Sequence, residues 1–141
     1  MPQLIEALHR LIPASTILIP NTKSISADRV LQALDAQGII FKMNRMSSGD
    51  WDIEASDLND MEILSKIHIE SARYSGMLLI CTEACSRYGH PIFQCNASDF
   101  SNFVRNYSIE MFFDGDAIIV CEQTKTITIF HHSGYYSHVT I

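Results

Sequence analysis

The pattern of apolar and polar positions is clearest in the last third of the chain, Ser108 to Ile141, which predicts four consecutive strands joined by tight turns. Asp114-Gly115 sits between two apolar runs, and Asp-Gly in that setting is a strong hairpin signal because both turn residues must accept positive φ. A two-residue loop there sets Phe113 against Asp116, Met111 against Ile118 and Ile109 against Val120. A turn at Gln123-Thr124-Lys125 then sets Asp116 against His132 and Ile118 against Phe130, and a turn at Ser133-Gly134 sets His132 against Tyr135. Because side chains alternate faces along a strand, one face collects Ile109, Met111, Phe113, Ile118, Val120, Phe130, Tyr135 and Val139 as a core. The other carries an apolar middle around Phe112, Ile119, Ile129 and Tyr136. That second patch is either covered by a helix or open to a partner.

Upstream, the periodicity changes to that of helices. Leu4, Ile5, Leu8, Leu11 and Ile12 share one helical face, and Pro13 ends the helix. Thr16 to Ile19 predicts a brief strand. Ser26 is placed to cap a helix with Asp28 in its first turn, an Ile25–Val30 staple, a buried stripe of Ala27, Val30, Leu31 and Leu34, and Gly38 as the stop. Ile39 to Met43 and the strictly alternating Trp51 to Ala55 predict a pair of strands around Ser47-Ser48-Gly49-Asp50. Ser56 opens a long helix to about Tyr74, with Glu62 and Lys66 four residues apart and Gly76 closing it. Met77 to Thr82 predicts a buried strand. A polar loop through Tyr88-Gly89-His90-Pro91 follows, then a strand at Ile92 to Cys95, and a last helix marked by Phe100, Phe103, Val104 and Tyr107 with Asn96 or Ser98 as its cap. The whole predicts an α+β fold: a single domain, residues 1–141, with helices packed on a mainly antiparallel sheet.

Composition narrows the class. At 141 residues and 47% hydrophobic, the chain can bury a substantial core. No run reaches the roughly 18 apolar residues of a membrane span, so no membrane association is expected. Four cysteines without a CxxC pair read as reduced thiols of a cytoplasmic protein. A zinc site from Cys85, His90 or the His131-His132 pair has no second closely spaced pair to support it, so neither metal nor cofactor is expected.

Charge is distributed unevenly. Asp50, Asp52, Glu54, Asp57, Asp60 and Glu62 place six carboxylates between residues 50 and 62 with no Lys or Arg, while the rest of the chain holds ten acids and ten bases. The net charge of −6 therefore resides in this one segment. Asp57 and Asp60 in a first helical turn interact favourably with the helix dipole, and Asp52 and Glu54 suit the wet face of a strand. Neither role requires that cations be excluded. The alternatives are a solvated face and a surface for a basic partner; the segment lacks the ligand spacing of an EF-hand. Trp51, flanked by Asp50 and Asp52, reads as core or as an interface anchor. Nucleic acid is disfavoured, because the ten cations are scattered. The second constellation is the expected Asp116–His132 rung. An Asp beside a His can orient a general base or form a surface ion pair of little energetic consequence, and no nucleophile motif such as GxSxG accompanies it.

Taken whole, the chain resembles the immunity proteins that bacteria pair with secreted or contact-delivered toxins: a small acidic α+β domain without a catalytic signature, ending in a meander, DGDAIIVCEQTKTITIFHHSGYY. The resemblance is one of type and carries over no individual residue. It implies tight binding to a cognate toxin domain, often a basic nuclease, with no chemistry by the binder. The competing expectations are a small enzyme built on Asp116 and His132, and a chaperone or oligomeric scaffold using the second apolar sheet face.

Overall fold

The computed structural model describes residues 7, 8, 10, 11, 26–45, 60–67, 74–88, 91–107, 112–113, 115–132 and 134–141. The α+β expectation holds. Among the described residues, six antiparallel strands form one sheet: β1 (Asn44–Arg45), β2 (Met77–Cys81), β3 (Phe93–Asn96), β4 (Ala117–Cys121), β5 (Thr126–His131) and β6 (Tyr135–Thr140). Their order across the sheet is β1-β6-β5-β4-β2-β3. Residues 7, 8, 10 and 11 are helical, and the helices with described bounds are α1 (Ala27–Ala36), α2 (Asp60–Ile67), α3 (Glu83–Tyr88) and α4 (Phe100–Arg105), the last entered through a 3-10 turn at Ala97–Asp99.

The C-terminal meander runs through β4, β5 and β6, and β2 lies on the other side of β4, with Leu79 opposite Val120 and Ile80 opposite Ile119. The place assigned to Ile109–Phe113 is thus taken by β2. Phe112 and Phe113 lie in a turn, and 108–111 fall outside the described residues. Gly115 is not in the left-handed region a two-residue Asp-Gly hairpin demands. A Cβ at that position would meet the end of the Glu83 side chain, which would have to swing aside.

The register of the meander differs by one residue from the expected one, because each connection is one residue longer. Cys121 faces Thr126 across a four-residue loop, in which Lys125 N–H donates to Glu122 C=O at 3.1 Å and Lys125 takes φ 54°. His131 faces Tyr135 across a three-residue loop with Gly134 at φ 90°, a position suited to glycine. A one-residue slip exchanges faces: Ile127 and Ile129 join Ile118 and Val120, while Phe130 joins Ala117 and Ile119.

Both faces are covered, which is why β4 reads as a continuous apolar run and why β5 is buried along all but its last residue. On one face, Leu79, Ile118, Val120, Ile127, Ile129 and Val139 pack with Ala27, Val30, Ala33 and Leu34 of α1 and with Ala7, Leu8 and Leu11. On the other, Leu78, Ile80, Ala117, Ile119 and Phe130 meet Ile63 and Leu64 of α2, Phe100 and Val104 of α4, Phe112 and Phe113. Phe112 is fully buried within edge-to-face contacts to Phe100, Phe103, Tyr107 and Phe113, at centroid distances of 4.8–6.1 Å. Helices therefore close the sheet face that carries Phe112 and Ile119, while Ile129, expected beside them, is buried on the opposite face.

Ser26 caps α1 as expected, its Oγ accepting from Arg29 N–H at 3.2 Å, and Gly38 takes φ 72° beyond the C-cap Gln37. The expected strand at Ile39–Met43 is not one: Ile40 is 94% exposed, and pairing to β6 begins only at Asn44. The long helix expected from Ser56 to about Tyr74 is described over Asp60–Ile67; residues 56–59 and 68–73 lie outside the described residues, and Tyr74 lies in coil, buried against Phe100. Glu83–Tyr88, which runs into the expected loop and carries no expected element of its own, is helical. The expected strands at 16–19 and 51–55 lie outside the described residues.

Candidate functional site

Asp116 is the last residue before β4, and its side chain is 16% exposed. Its Oδ2 accepts the Ala27 N–H at 2.9 Å, so it ties the start of α1 to the sheet. Ser26 and Asp116 together satisfy two of the N–H groups that a helix start leaves without intrahelical partners. Oδ1 accepts the His132 backbone N–H at 2.8 Å and lies 2.8 Å from His132 Nδ1. The expected neighbourhood of Asp116 and His132 is therefore present, although the pairing Ala117–Phe130 directs Asp116 toward the position of His131. The carboxylate reaches His132 because that residue lies in the turn after β5.

Two groups join this corner that the sequence did not bring to it. His131 places Nε2 3.0 Å from Asp28 Oδ1 in the first turn of α1. Its ring stacks on that of His132, with centroids 4.2 Å apart and planes 26° from parallel. One ligand atom each from Asp116, His131 and His132 lies within 4.8 Å of the others. The available signal was the consecutive His131-His132 at a strand end, two residues before a glycine that can turn the chain. His132 is 58% exposed at the side chain and His131 15%, so the corner opens to solvent on one side.

Comparison of the chain with known protein families, curated proteins and solved structures finds no match. Its functional reading therefore rests on the residues themselves.

Of the acidic segment, Asp50, Trp51, Asp52, Glu54 and Asp57 lie outside the described residues. Glu62 is exposed, as expected. Asp60, expected to be exposed, is half-buried: its carboxylate accepts the N–H of Phe112 at 2.7 Å and of Phe113 at 3.2 Å. A carboxylate at a helix start is well placed for the dipole, and here it also satisfies the backbone of a turn whose side chains fill the core. That contact could not be read from the sequence, because it links residues far apart in the chain.

Cys81 and Cys95 are not activated nucleophiles. All four cysteines are free. Cys81, hydrogen-bonded to Cys85 and buried, holds its thiol far above the usual range, and burial pushes the Cys95 thiol up to about 11. Reactive cysteines need the opposite shift. A shallow groove of about 470 Å³ beside β3 and α4 is lined by Phe93, Cys95, Asn102, Phe103 and Tyr107. No described helix is long and apolar enough to cross a membrane.

Proposed function

We propose that this chain is a non-enzymatic binding module of the immunity type, which captures and neutralises a basic toxin domain in the cytoplasm through its acidic segment. The observation that carries this reading is the one-sided charge: six acids and no base between residues 50 and 62, which equals the entire net charge. Such a patch raises the arrival rate of an oppositely charged partner by about 10-fold to 1,000-fold at low salt. The arrangement of α2 is compatible with that role. Asp60 and the buried Ile63 and Leu64 fix the helix to the body of the protein, and Glu62 points outward from it.

The 2.8 Å contact between Asp116 and His132 favours a second reading, a small enzyme with His132 as general base. The binding-module reading accounts for the same contact structurally. Asp116 accepts two backbone N–H groups from separate elements, which gives it a reason to be there without chemistry.

Affinity capture from the native cell at low salt, comparing the wild-type chain with an Asp52→Asn/Glu54→Gln/Glu62→Gln variant, tests the proposal. The expected result is a basic protein held by the wild type and lost with the variant, whose expression alone arrests growth and is relieved by the wild-type chain. Equal capture and equal relief by both chains would show that the acids have no part in binding.

A further inference from the structure

We propose that Asp116, His131 and His132 form a binding site for a divalent transition metal of the zinc type. Consecutive strand residues point to opposite faces, so adjacent histidines do not ordinarily converge. Here β5 ends at His131, and the turn that follows is closed by Gly134 N–H donating to His131 C=O at 2.9 Å, with Gly134 at φ 90°. That turn stacks the two rings and sets both beside Asp116, with one ligand atom from each of the three residues within 4.8 Å of the others.

Zinc takes imidazole nitrogen and carboxylate oxygen at about 2.0–2.2 Å, so neighbouring ligand atoms in a tetrahedral site stand about 3.3–3.5 Å apart. The 2.8 Å between His132 Nδ1 and Asp116 Oδ1 needs to open by only about 0.5 Å for a metal ion to replace the proton between them.

The surroundings are those of a supported site. Asp116 is oriented by two backbone N–H groups, from Ala27 and His132, which leave further lone pairs on its carboxylate. Asp28 stands 3.0 Å from His131 Nε2 and holds that ring in place, as carboxylates beside ligating imidazoles do. Two imidazoles and one carboxylate suit zinc, copper, nickel or iron; calcium and magnesium prefer all-oxygen shells. The exposed side of His132 gives the ion its entry path and leaves coordination positions for water.

Calorimetric titration of the chelator-treated, dialysed chain with zinc chloride tests this, alongside thermal melting with and without zinc. The expected result is one ion per chain and a melting temperature that rises with zinc. His131→Ala and His132→Ala should each lose affinity at least as strongly as Asp28→Asn, which should weaken binding by about 10- to 100-fold. Circular dichroism establishes that the variants fold; Asp116 is left intact because it also holds the backbone. Absence of one-to-one binding by the wild type would overturn the proposal. So would wild-type affinity in the His131→Ala/His132→Ala double variant, which would place the zinc on other histidines or cysteines.

Discussion

Replacing Asp116 with alanine removes three contacts of one carboxylate, and their separate environments set the size of the effect. The Ala27 N–H belongs to a residue with no exposed surface, so water cannot easily take over its bond. Losing a helix-start acceptor of this kind costs about 0.5–2 kcal/mol. The backbone bond from His132 goes to a carboxylate and contributes about 1.5–3 kcal/mol before allowance for solvent access at the turn. The imidazole contact involves a side chain that is 58% exposed and is worth at most about 1 kcal/mol. Together these predict a loss of roughly 2–4 kcal/mol, a large share of the 5–15 kcal/mol typical of a whole domain. The melting temperature should fall by roughly 6–15 °C. His132→Ala, which removes only the exposed contact, should cost less than about 1 kcal/mol. Urea denaturation measures both, with an unchanged m-value showing that the unfolding reaction is the same. If Asp116→Ala costs no more than His132→Ala, the carboxylate is not an anchor for α1 and the structural account of the corner fails.

Other consequences follow from the same contacts. Phe112→Ala should cost about 3–5 kcal/mol by chemical denaturation, because the ring is wholly buried within an aromatic cluster. Asp60→Ala should destabilise by about 1–3 kcal/mol, since it leaves two backbone donors without their acceptor, whereas Glu62→Gln should change stability by less than about 0.5 kcal/mol; equal effects would remove the distinction drawn between these two acids. Arg10 holds the Glu122 carboxyl below its usual range through a 2.6 Å ion pair. The contribution of Glu122 is therefore present at neutral pH and is lost as pH falls through its lowered value. It is small because the pair is exposed, so the stability difference between wild type and Glu122→Gln, at most about 1 kcal/mol at neutral pH, should vanish once the pH lies below that lowered value and shrink in 1 M salt.

Much of the fold was legible where local chemistry and packing agree. Ser26 caps α1, Gly38 turns the chain after it, and Met77–Cys81 and Phe93–Asn96 are strands near where their apolar runs predict. Sequence reading faltered where one local signal serves two purposes. Asp114-Gly115 has the composition of a hairpin, but Gly115 does not take the left-handed conformation of that turn, and the expected partner strand is replaced by β2. Loop length cannot be fixed from composition when turns of three and four residues use similar side chains, and an error of one residue carried Phe130 to the wrong face. The α3 helix is too short for a periodic pattern. At the site, Asp116 and His132 were legible as neighbours, but Asp28 reaches His131 only through the docking of α1 on the sheet. The tie from Asp60 to the 112–113 turn is likewise tertiary.

The most direct test of the binding-module account is the association rate of the captured partner with the wild-type chain and with the Asp52→Asn/Glu54→Gln/Glu62→Gln variant, measured by stopped flow across salt concentrations. The account predicts a wild-type on-rate that falls steeply with added salt. It predicts a variant on-rate about 10-fold or more slower at low salt, converging on the wild type as screening increases, with both proteins equally folded. Identical on-rates at low salt would contradict it and reduce the acidic segment to a solvated surface.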